Sequence, residues 1–234
     1  MYRKVIVALM AALFIALTLP AQDLRVSDNQ RFLVNGNGEP FFWLGDTGWE
    51  MLHRLDRQEM EYYMRNRAGK GFSEIQTVIV GEIEGLTFPN MDGNLPFEEV
   101  DPERPVEGSF EMVDYALKKP NEFGLVKDLL PTWHSYVLTG SHPLLNEEAV
   151  FNQENAYAYG NFLVVRYKVA PYIVWVLGGD WPAGPQIEIW DAMASGLTVG
   201  DSGLHLISYH PRGQQTSSTW LHDRDWHDFN MVQT

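Results

Sequence analysis

The sequence predicts an α/β fold, a (β/α)8 barrel of which the chain covers about the first six βα units. Strand-like and helix-like segments alternate along the chain at least five times, which is typical of βαβ units and a parallel sheet. Nearly every predicted strand leads into acidic, aromatic or histidine residues. Barrel active sites are built at the carboxyl-terminal ends of the strands, so this placement favours a barrel. An open sheet of six strands is the alternative.

Each predicted strand is a short run rich in branched, aromatic or leucine side chains. A hairpin that turns at Asn35-Gly36 precedes the first of them. The six strands are predicted at 41–44, 73–81, 125–131, 172–179, 204–210 and 228–233. Lys127 and Asp128 interrupt the third strand, where apolar residues are expected.

The helices between these strands carry recognisable start and stop signals. They are predicted to begin at Asp56, near Ser109, at Asn152 and near Gln186. Glu59 follows Asp56 by three residues, which is the spacing of a capping box. Pro120 is expected to end or kink the second helix.

Composition excludes several classes of function. The 234 residues include 17 Lys and Arg but 31 Asp and Glu, so the formal net charge is −14. A nucleic-acid partner needs a basic face, which this balance argues against. The chain has no cysteine, which removes disulfides, thiolate catalysis and sulfur-ligated zinc.

Residues 1–21 are predicted to be a secretory signal peptide. Arg3 and Lys4 precede an apolar run from Val5 to Leu19, followed by Pro20 and Ala21, as in a signal with a cleavage site. A membrane anchor is the alternative, because the run approaches spanning length. We therefore expect a secreted or periplasmic protein, a catalytic domain at 22–234, and no stable membrane insertion after cleavage.

The segment "VLGGDW" at the end of the fourth strand presents a carboxylate, Asp180. Gly178 and Gly179 allow a sharp turn and leave room for a ligand. Two carboxylates that flank a glycosidic bond can hydrolyse it, and an aromatic setting raises the pKa of the one that acts as acid. Asp180 is the candidate acid, although an Asp at this position could equally cap the next helix.

Other strand ends supply candidate contacts to a sugar substrate, since sugar rings stack on aromatic faces and bind polar groups through hydroxyls. The candidates are Asp46, Trp49, Glu82, Trp133, Trp181 and His210. Asp46 could instead cap a helix, Glu82 could be a solvated loop residue, and Trp133 could be ordinary packing. His210 could hold a neighbouring side chain.

The segment "HDRDWHD" at 222–228 contains ligand types that metals prefer. Its spacing does not place two ligands on one helix face with a third elsewhere, so a solvated polar helix start is favoured. No phosphate-binding, zinc-protease or nucleophile-elbow motif is present in the sequence. We expect no metal and no cofactor.

Several blocks together resemble a known family. They are "FFWLGDTGW", "LLPTW", "NAYAYGNFLVVRYK", "IVWVLGGD" and "HDFNMVQT", within a similarity that extends from about Phe32 to Thr234. They are similar to the apiosidase-like glycoside hydrolases, family 140. The resemblance implies a (β/α)8 barrel, a secreted bacterial enzyme, pectin side chains as substrate and a retaining mechanism. The segment 134–150 departs from the pattern beside the site, so the leaving-group side is expected to differ.

The resemblance also implies roles for particular positions. Asp180 matches the general acid/base at the end of the fourth strand, and the nucleophile is a glutamate at the end of the seventh strand, beyond residue 234. The chain is therefore expected to be a C-terminally incomplete barrel. As given, it could be inactive, and a non-catalytic carbohydrate-binding or degenerate barrel is the alternative function.

Overall fold

A computed structural model describes residues 24–140, 148–201 and 203–233 of the chain. The predicted signal peptide at 1–21 lies outside the described residues. In the described part of the chain, no helix is long and apolar enough to cross a membrane.

A five-stranded parallel sheet organises the fold. Its strands are β3 (Gly45–Thr47), β4 (Glu74–Val80), β5 (Val126–Thr132), β6 (Ile173–Gly178) and β7 (Ile207–His210), hydrogen-bonded in that order. Two antiparallel pairs flank it: β1 (Arg25–Val26) with β2 (Leu33–Val34), and β8 (Gln215–Thr216) with β9 (Val232–Gln233). The sheet is curled into part of a barrel, which confirms the predicted fold class.

Seven α-helices are described within these residues. They are α1 (Met51–Arg54), α2 (Arg57–Gly69), α3 (Glu107–Lys118), α4 (Pro120–Phe123), α5 (Gln153–Tyr167), α6 (Ile187–Val199) and α7 (Ser218–Leu221). Asp56 and Glu59 form the predicted capping box at the start of α2. The helix that begins before Ser109 ends at Lys118, and α4 begins at Pro120, as that proline predicts.

The predicted first strand is displaced by a few residues. Residues 41–44 form no ladder, and Phe42 is 77% exposed rather than buried. The strand begins instead at Gly45, where Gly45 and Asp46 pair with Glu74 and Ile75 of β4. The apolar run therefore precedes the strand and packs partly, through Phe41 and Trp43, against the core.

The predicted sixth strand is not a parallel neighbour of β7 among the described residues. Val232 and Gln233 pair antiparallel with Thr216 and Gln215. Residues 228–229 do lie against β7, since the Asp228 amide donates to the Ile207 carbonyl over 2.9 Å. The segment thus passes the edge of the sheet before it turns to pair with β8.

The central strands β4, β5 and β6 are buried along their whole length, as expected of a parallel sheet covered on both faces. Helices α5 and α6 cross closely at two glycines. A Cβ at Gly160 would lie 2.5 Å from the Met193 carbonyl oxygen, and one at Gly196 would lie 2.3 Å from that of Tyr157. Their small size sets the distance between these two helices.

The charged pair that interrupts the third strand is buried in the sheet. Lys127 and Asp128 are both fully buried, and Asp128 accepts a 3.2 Å hydrogen bond from the Gln76 amide. Burial lowers the pKa of Lys127 to about 7. Burial and the neighbouring Glu74 carboxylate raise the pKa of Asp128. No described residue hydrogen-bonds the Lys127 ammonium nitrogen, so this amine is a costly core group.

Candidate active site

A tight bend follows β6 and presents Asp180. Gly178, Gly179 and Asp180 have φ of 95°, 125° and 54°, a left-handed run that glycine tolerates and that Asp adopts more readily than most residues. A Cβ at Gly179 would lie 2.6 Å from the Trp133 ring, and one at Gly178 would lie 2.6 Å from the His210 carbonyl oxygen. Both glycines are therefore needed for the bend to pack against its neighbours.

The Asp180 side chain is 48% exposed and lies beside the buried imidazole of His210. Its Oδ1 is 3.4 Å from Nδ1 of His210, and the Asp180 amide donates to the same nitrogen over 3.5 Å. Burial lowers the pKa of His210, although the Asp180 charge opposes that effect. A neutral imidazole whose Nδ1 accepts from the amide fits this environment.

Two indoles pack around His210. The Trp49 ring centre is 5.1 Å from that of His210, in an edge-to-face arrangement, and 5.2 Å from that of Trp133. Trp133 is only 2% exposed, so it forms the floor beneath the Asp180 bend rather than an open wall. The structure thus brings Asp180, Trp49, Trp133 and His210 together.

Trp181 lies next to Asp180 on an aromatic stack that the sequence did not reveal. Its ring centre is 6.0 Å from that of His134, which in turn is 5.7 Å from that of Trp190. The Arg212 guanidinium lies 5.5 Å from the Trp181 ring centre. His134 directly follows Trp133 at a strand end, and that position is the signal that could have identified it.

His134 is neutral in this setting. It is almost fully buried, and burial lowers its pKa to about 3. Neither ring nitrogen has a hydrogen-bond partner among the described residues. In the structure, the His134 ring packs against the indole of Trp181.

The loop that follows β4 carries Glu82 at the same edge of the sheet. The Tyr136 hydroxyl donates to the Gly81 carbonyl over 3.0 Å and accepts from the Gly85 amide over 2.9 Å. The Glu82 carbonyl lies 3.3 Å from the same hydroxyl. The loop is therefore fixed, and the substrate contact predicted for Glu82 stays a prediction.

Two residues just after Trp49 hold the same loop, and sequence reasoning missed both. Glu50 accepts from the Ile83 amide over 3.2 Å, and His53 contacts the Phe88 carbonyl over 2.9 Å. Nδ1 of His53 is 3.0 Å from the other Glu50 oxygen. Burial acts to raise the pKa of Glu50, but these hydrogen bonds outweigh burial and lower it.

Asp46 is not brought to this group. The Tyr63 hydroxyl of α2 donates to Asp46 Oδ2 over 2.6 Å, and Arg67 of α2 forms an ion pair with the same oxygen. Burial and this carboxylate raise the pKa of Tyr63 to about 12. Asp46 therefore ties β3 to α2, and the substrate contact predicted for it stays a prediction.

The polar segment 222–228 disperses its side chains. His222 contacts the Ser218 carbonyl, His227 contacts the Ser217 hydroxyl, and Asp228 accepts from the Ile207 amide. Among the described residues, no three His, Cys, Asp or Glu side chains are grouped so that they could hold a metal ion.

A cavity of about 740 Å³ lies on the inner face of the sheet, away from Asp180. Its lining includes Trp43, Glu74, Gln76, Phe229 and Met231. None of the seven predicted site residues lines it. The inner face of a complete barrel is packed by side chains rather than left open, so we place the candidate site at the strand ends instead.

Comparison with known families gives one clear match. The model of a family described as "Apiosidase-like, catalytic domain" matches residues 27–234. Among curated proteins, none matches this chain.

Two solved structures of glycoside hydrolases are also similar to this chain. A glycoside hydrolase family 5 protein from Bacteroides vulgatus is 35% identical, with a TM-score of 0.79 over 90% of this chain and 44% of its own. A second structure, titled only a glycoside hydrolase, is 34% identical, with a TM-score of 0.80 over 91% of this chain and 46% of its own. This chain thus spans less than half the length of either structure.

A more distant structure shares the fold alone. The endo-β-1,4-mannanase from Thermotoga petrophila is 19% identical, with a TM-score of 0.51 over 76% of this chain and 44% of its own. The family 5 neighbours are (β/α)8 barrels, so the curled sheet of this chain corresponds to part of such a barrel.

Proposed function

Because the chain belongs to the family of apiosidase-like catalytic domains, we propose that the protein is a retaining glycoside hydrolase with Asp180 as its general acid/base. Its substrates are apiose-containing side chains of pectin, in the manner of glycoside hydrolase family 140. The apolar leader at 1–21 supports secretion or periplasmic export.

One observation carries this proposal. Asp180 is a half-exposed carboxylate at the end of a buried strand, over a floor of aromatic rings and next to a buried imidazole. Its backbone adopts a left-handed conformation, directly after two glycines that also have positive φ. Backbone strain of this kind is concentrated at active sites and ligand clamps.

The chemistry assigns two steps to Asp180. First, its carboxyl proton passes to the glycosidic oxygen while a nucleophilic carboxylate attacks the anomeric carbon, which breaks the bond and leaves a glycosyl ester. The Asp180 carboxylate then takes a proton from water, whose oxygen displaces the ester with net retention. By resemblance to the family, we assign the nucleophile to a glutamate beyond residue 234, about 5 Å from Asp180.

The aromatic rings provide the sugar-binding surface. The exposed part of Trp181 lies beside Asp180 and is supported by His134 and Arg212. Flat apolar faces of this kind bind the C–H face of a sugar ring, while neighbouring polar groups bind its hydroxyls. Trp49, His210 and Glu82 border the same edge.

The test uses the protein expressed from its complete reading frame. It is incubated with pectic oligosaccharides that carry apiose, and the released sugar is followed by proton NMR, which also reports the anomeric configuration. Release with retained configuration is expected, and Asp180→Asn should reduce it by at least about a thousandfold on the natural substrate. Release with inverted configuration would contradict the retaining mechanism.

The same experiment separates the rival function. A carbohydrate-binding protein without catalysis would bind these oligosaccharides with unchanged affinity in the wild type and in Asp180→Asn, and would release no sugar from either. That result would replace the hydrolase proposal with the binding one.

A further inference from the structure

Phe88 presents an exposed aromatic ring on the loop that follows β4. The residue is 52% exposed, on the same loop as Glu82. Single exposed hydrophobic residues are ordinary on protein surfaces, so exposure by itself assigns nothing to Phe88. Its supporting contacts distinguish it from the other exposed apolar residues.

Charged and aromatic groups support this ring. The Arg54 guanidinium lies 5.5 Å from the ring centre, which is a cation–π distance. The His53 ring is 6.3 Å away in an edge-to-face arrangement, and it also contacts the Phe88 carbonyl over 2.9 Å. These contacts support the ring before any ligand arrives, which reduces the entropic cost of binding.

The same contacts connect Phe88 to the candidate site. Trp49, which packs on His210, is followed directly by Glu50, and Glu50 contacts His53 and the Ile83 amide. A Cβ at Gly81 would lie 2.9 Å from both Glu50 and His53, so the start of the loop packs tightly on this pair. Contacts through His53 and Glu50 therefore link Phe88 to the residue that follows Trp49 of the candidate site.

Polar groups that suit a sugar flank the ring. The Arg54 guanidinium donates to the Ile83 carbonyl over 3.1 Å and lies 3.6 Å from a carboxylate oxygen of Glu84. The guanidinium lies over the Phe88 ring, so the remaining exposed part of the ring is the surface available to the C–H face of a sugar, with Arg54 and Glu84 near its hydroxyl groups.

We propose that Phe88 is the stacking platform of a second sugar subsite, which binds a further residue of the saccharide chain away from the bond that Asp180 cleaves. The proposal rests on the proposed function, because it takes its ligand class from it. It predicts a preference for longer oligosaccharides.

The experiment measures binding rather than turnover. Asp180→Asn protein from the complete reading frame is titrated by calorimetry with a short apiose-containing glycoside and with a longer pectic oligosaccharide. Adding Phe88→Ala should weaken binding of the longer ligand about tenfold and leave the short ligand unchanged. Phe88→Trp should retain the affinity for the longer ligand.

Tyr62 supplies the matched control. It is an aromatic residue on α2 that is 72% exposed, and Tyr62→Ala should leave both affinities unchanged. Equal affinities for the longer ligand with and without Phe88→Ala would overturn the subsite, as would an equal loss for both ligands. A parent protein that binds neither ligand would contradict the proposed function itself, which is a different result.

Discussion

The Asp180 carboxylate lies 3.4 Å from Nδ1 of His210, and the Asp180 amide points to the same nitrogen at 3.5 Å. One ring nitrogen thus faces both the backbone and the side chain of the candidate acid. Since Trp49 and Trp133 pack on the imidazole, His210 cannot move away without disturbing the floor of the site. We therefore regard His210 as a positioning residue for Asp180.

This relationship predicts the titration of His210. Burial lowers the pKa of His210 below the ordinary value of 6.5, while the Asp180 charge raises it. Asp180→Asn removes that charge, so the pKa of His210 should fall further. The proton NMR titration of the imidazole measures this, with the histidines outside the site as internal controls. An unchanged or higher value in Asp180→Asn would contradict the assigned contact.

The buried, neutral state of His134 predicts that the stability of the protein depends on pH. Its pKa is about 3 in the folded protein, against an ordinary value of 6.5. The unfolded chain therefore binds the proton more tightly. As a result, the free energy of unfolding decreases as pH falls from 6.5 toward 3. His134→Phe should reduce the slope of the free energy of unfolding against pH by up to about 1.4 kcal/mol per pH unit over this range.

Urea unfolding at several pH values measures the slope. His222→Phe, at an exposed histidine, is the matched control for replacing an imidazole by a phenyl ring. If His134→Phe has the same slope as the wild type, His134 does not remain neutral and buried in the folded protein.

The bend before Asp180 predicts a difference between two glycine substitutions. Gly179 and Gly124 both have positive φ, but only a Cβ at Gly179 meets another group, the Trp133 ring at 2.6 Å. Gly124→Ala should cost about 1 kcal/mol through backbone strain. Gly179→Ala should cost about 2–4 kcal/mol, because its φ of 125° is less accessible to alanine and overpacking against Trp133 adds to that strain. Thermal unfolding of both variants measures this, and equal losses would refute the contact.

The buried amine of Lys127 predicts that an apolar substitution at this position stabilises the protein. Burial lowers its pKa to about 7 from 10.5, so wild-type stability should rise as pH increases from 7 to 10.5. Lys127→Met removes this buried amine and should stabilise the protein by about 1–4 kcal/mol near neutral pH. The gain should shrink toward alkaline pH.

Chemical denaturation at neutral and alkaline pH tests that expectation. Lys118→Met, at an exposed position near the end of α3, is the control for a change in charge alone. A loss of stability in Lys127→Met would mean that the amine stabilises the neighbouring carboxylates by more than its burial costs.

The strands of the sheet were predictable wherever long apolar runs were present. The segments around Val78, Leu129, Val176 and Tyr209 are buried as their sequences indicate. The first strand was misplaced because its three residues, Gly45–Thr47, lack a β-branched run, while the apolar residues before it lie outside the ladder. The pairing of 232–233 with 215–216 depends on a distant segment and has no local signal.

The site was predictable only in part, because contacts between distant segments have no local sequence signal. Residues at strand ends, such as Asp180, Trp133 and His210, meet because parallel strands end at one edge. The contact of the Asp46 side chain with α2 could not be inferred from alternation along a misplaced strand. Glu50 and His53 act through loop carbonyl and amide groups, which no sequence pattern identifies.

The proposed function depends on Asp180 as the donor of the proton to the leaving group. The most direct measurement compares kcat/KM of the wild type and Asp180→Asn, expressed from the complete reading frame, on apiosides with an alkyl and with a dinitrophenyl leaving group. If Asp180 is that donor, kcat/KM falls at least about a thousandfold for the alkyl glycoside and much less for the aryl glycoside, because dinitrophenolate departs without protonation. Equal losses on both substrates would contradict the acid role of Asp180.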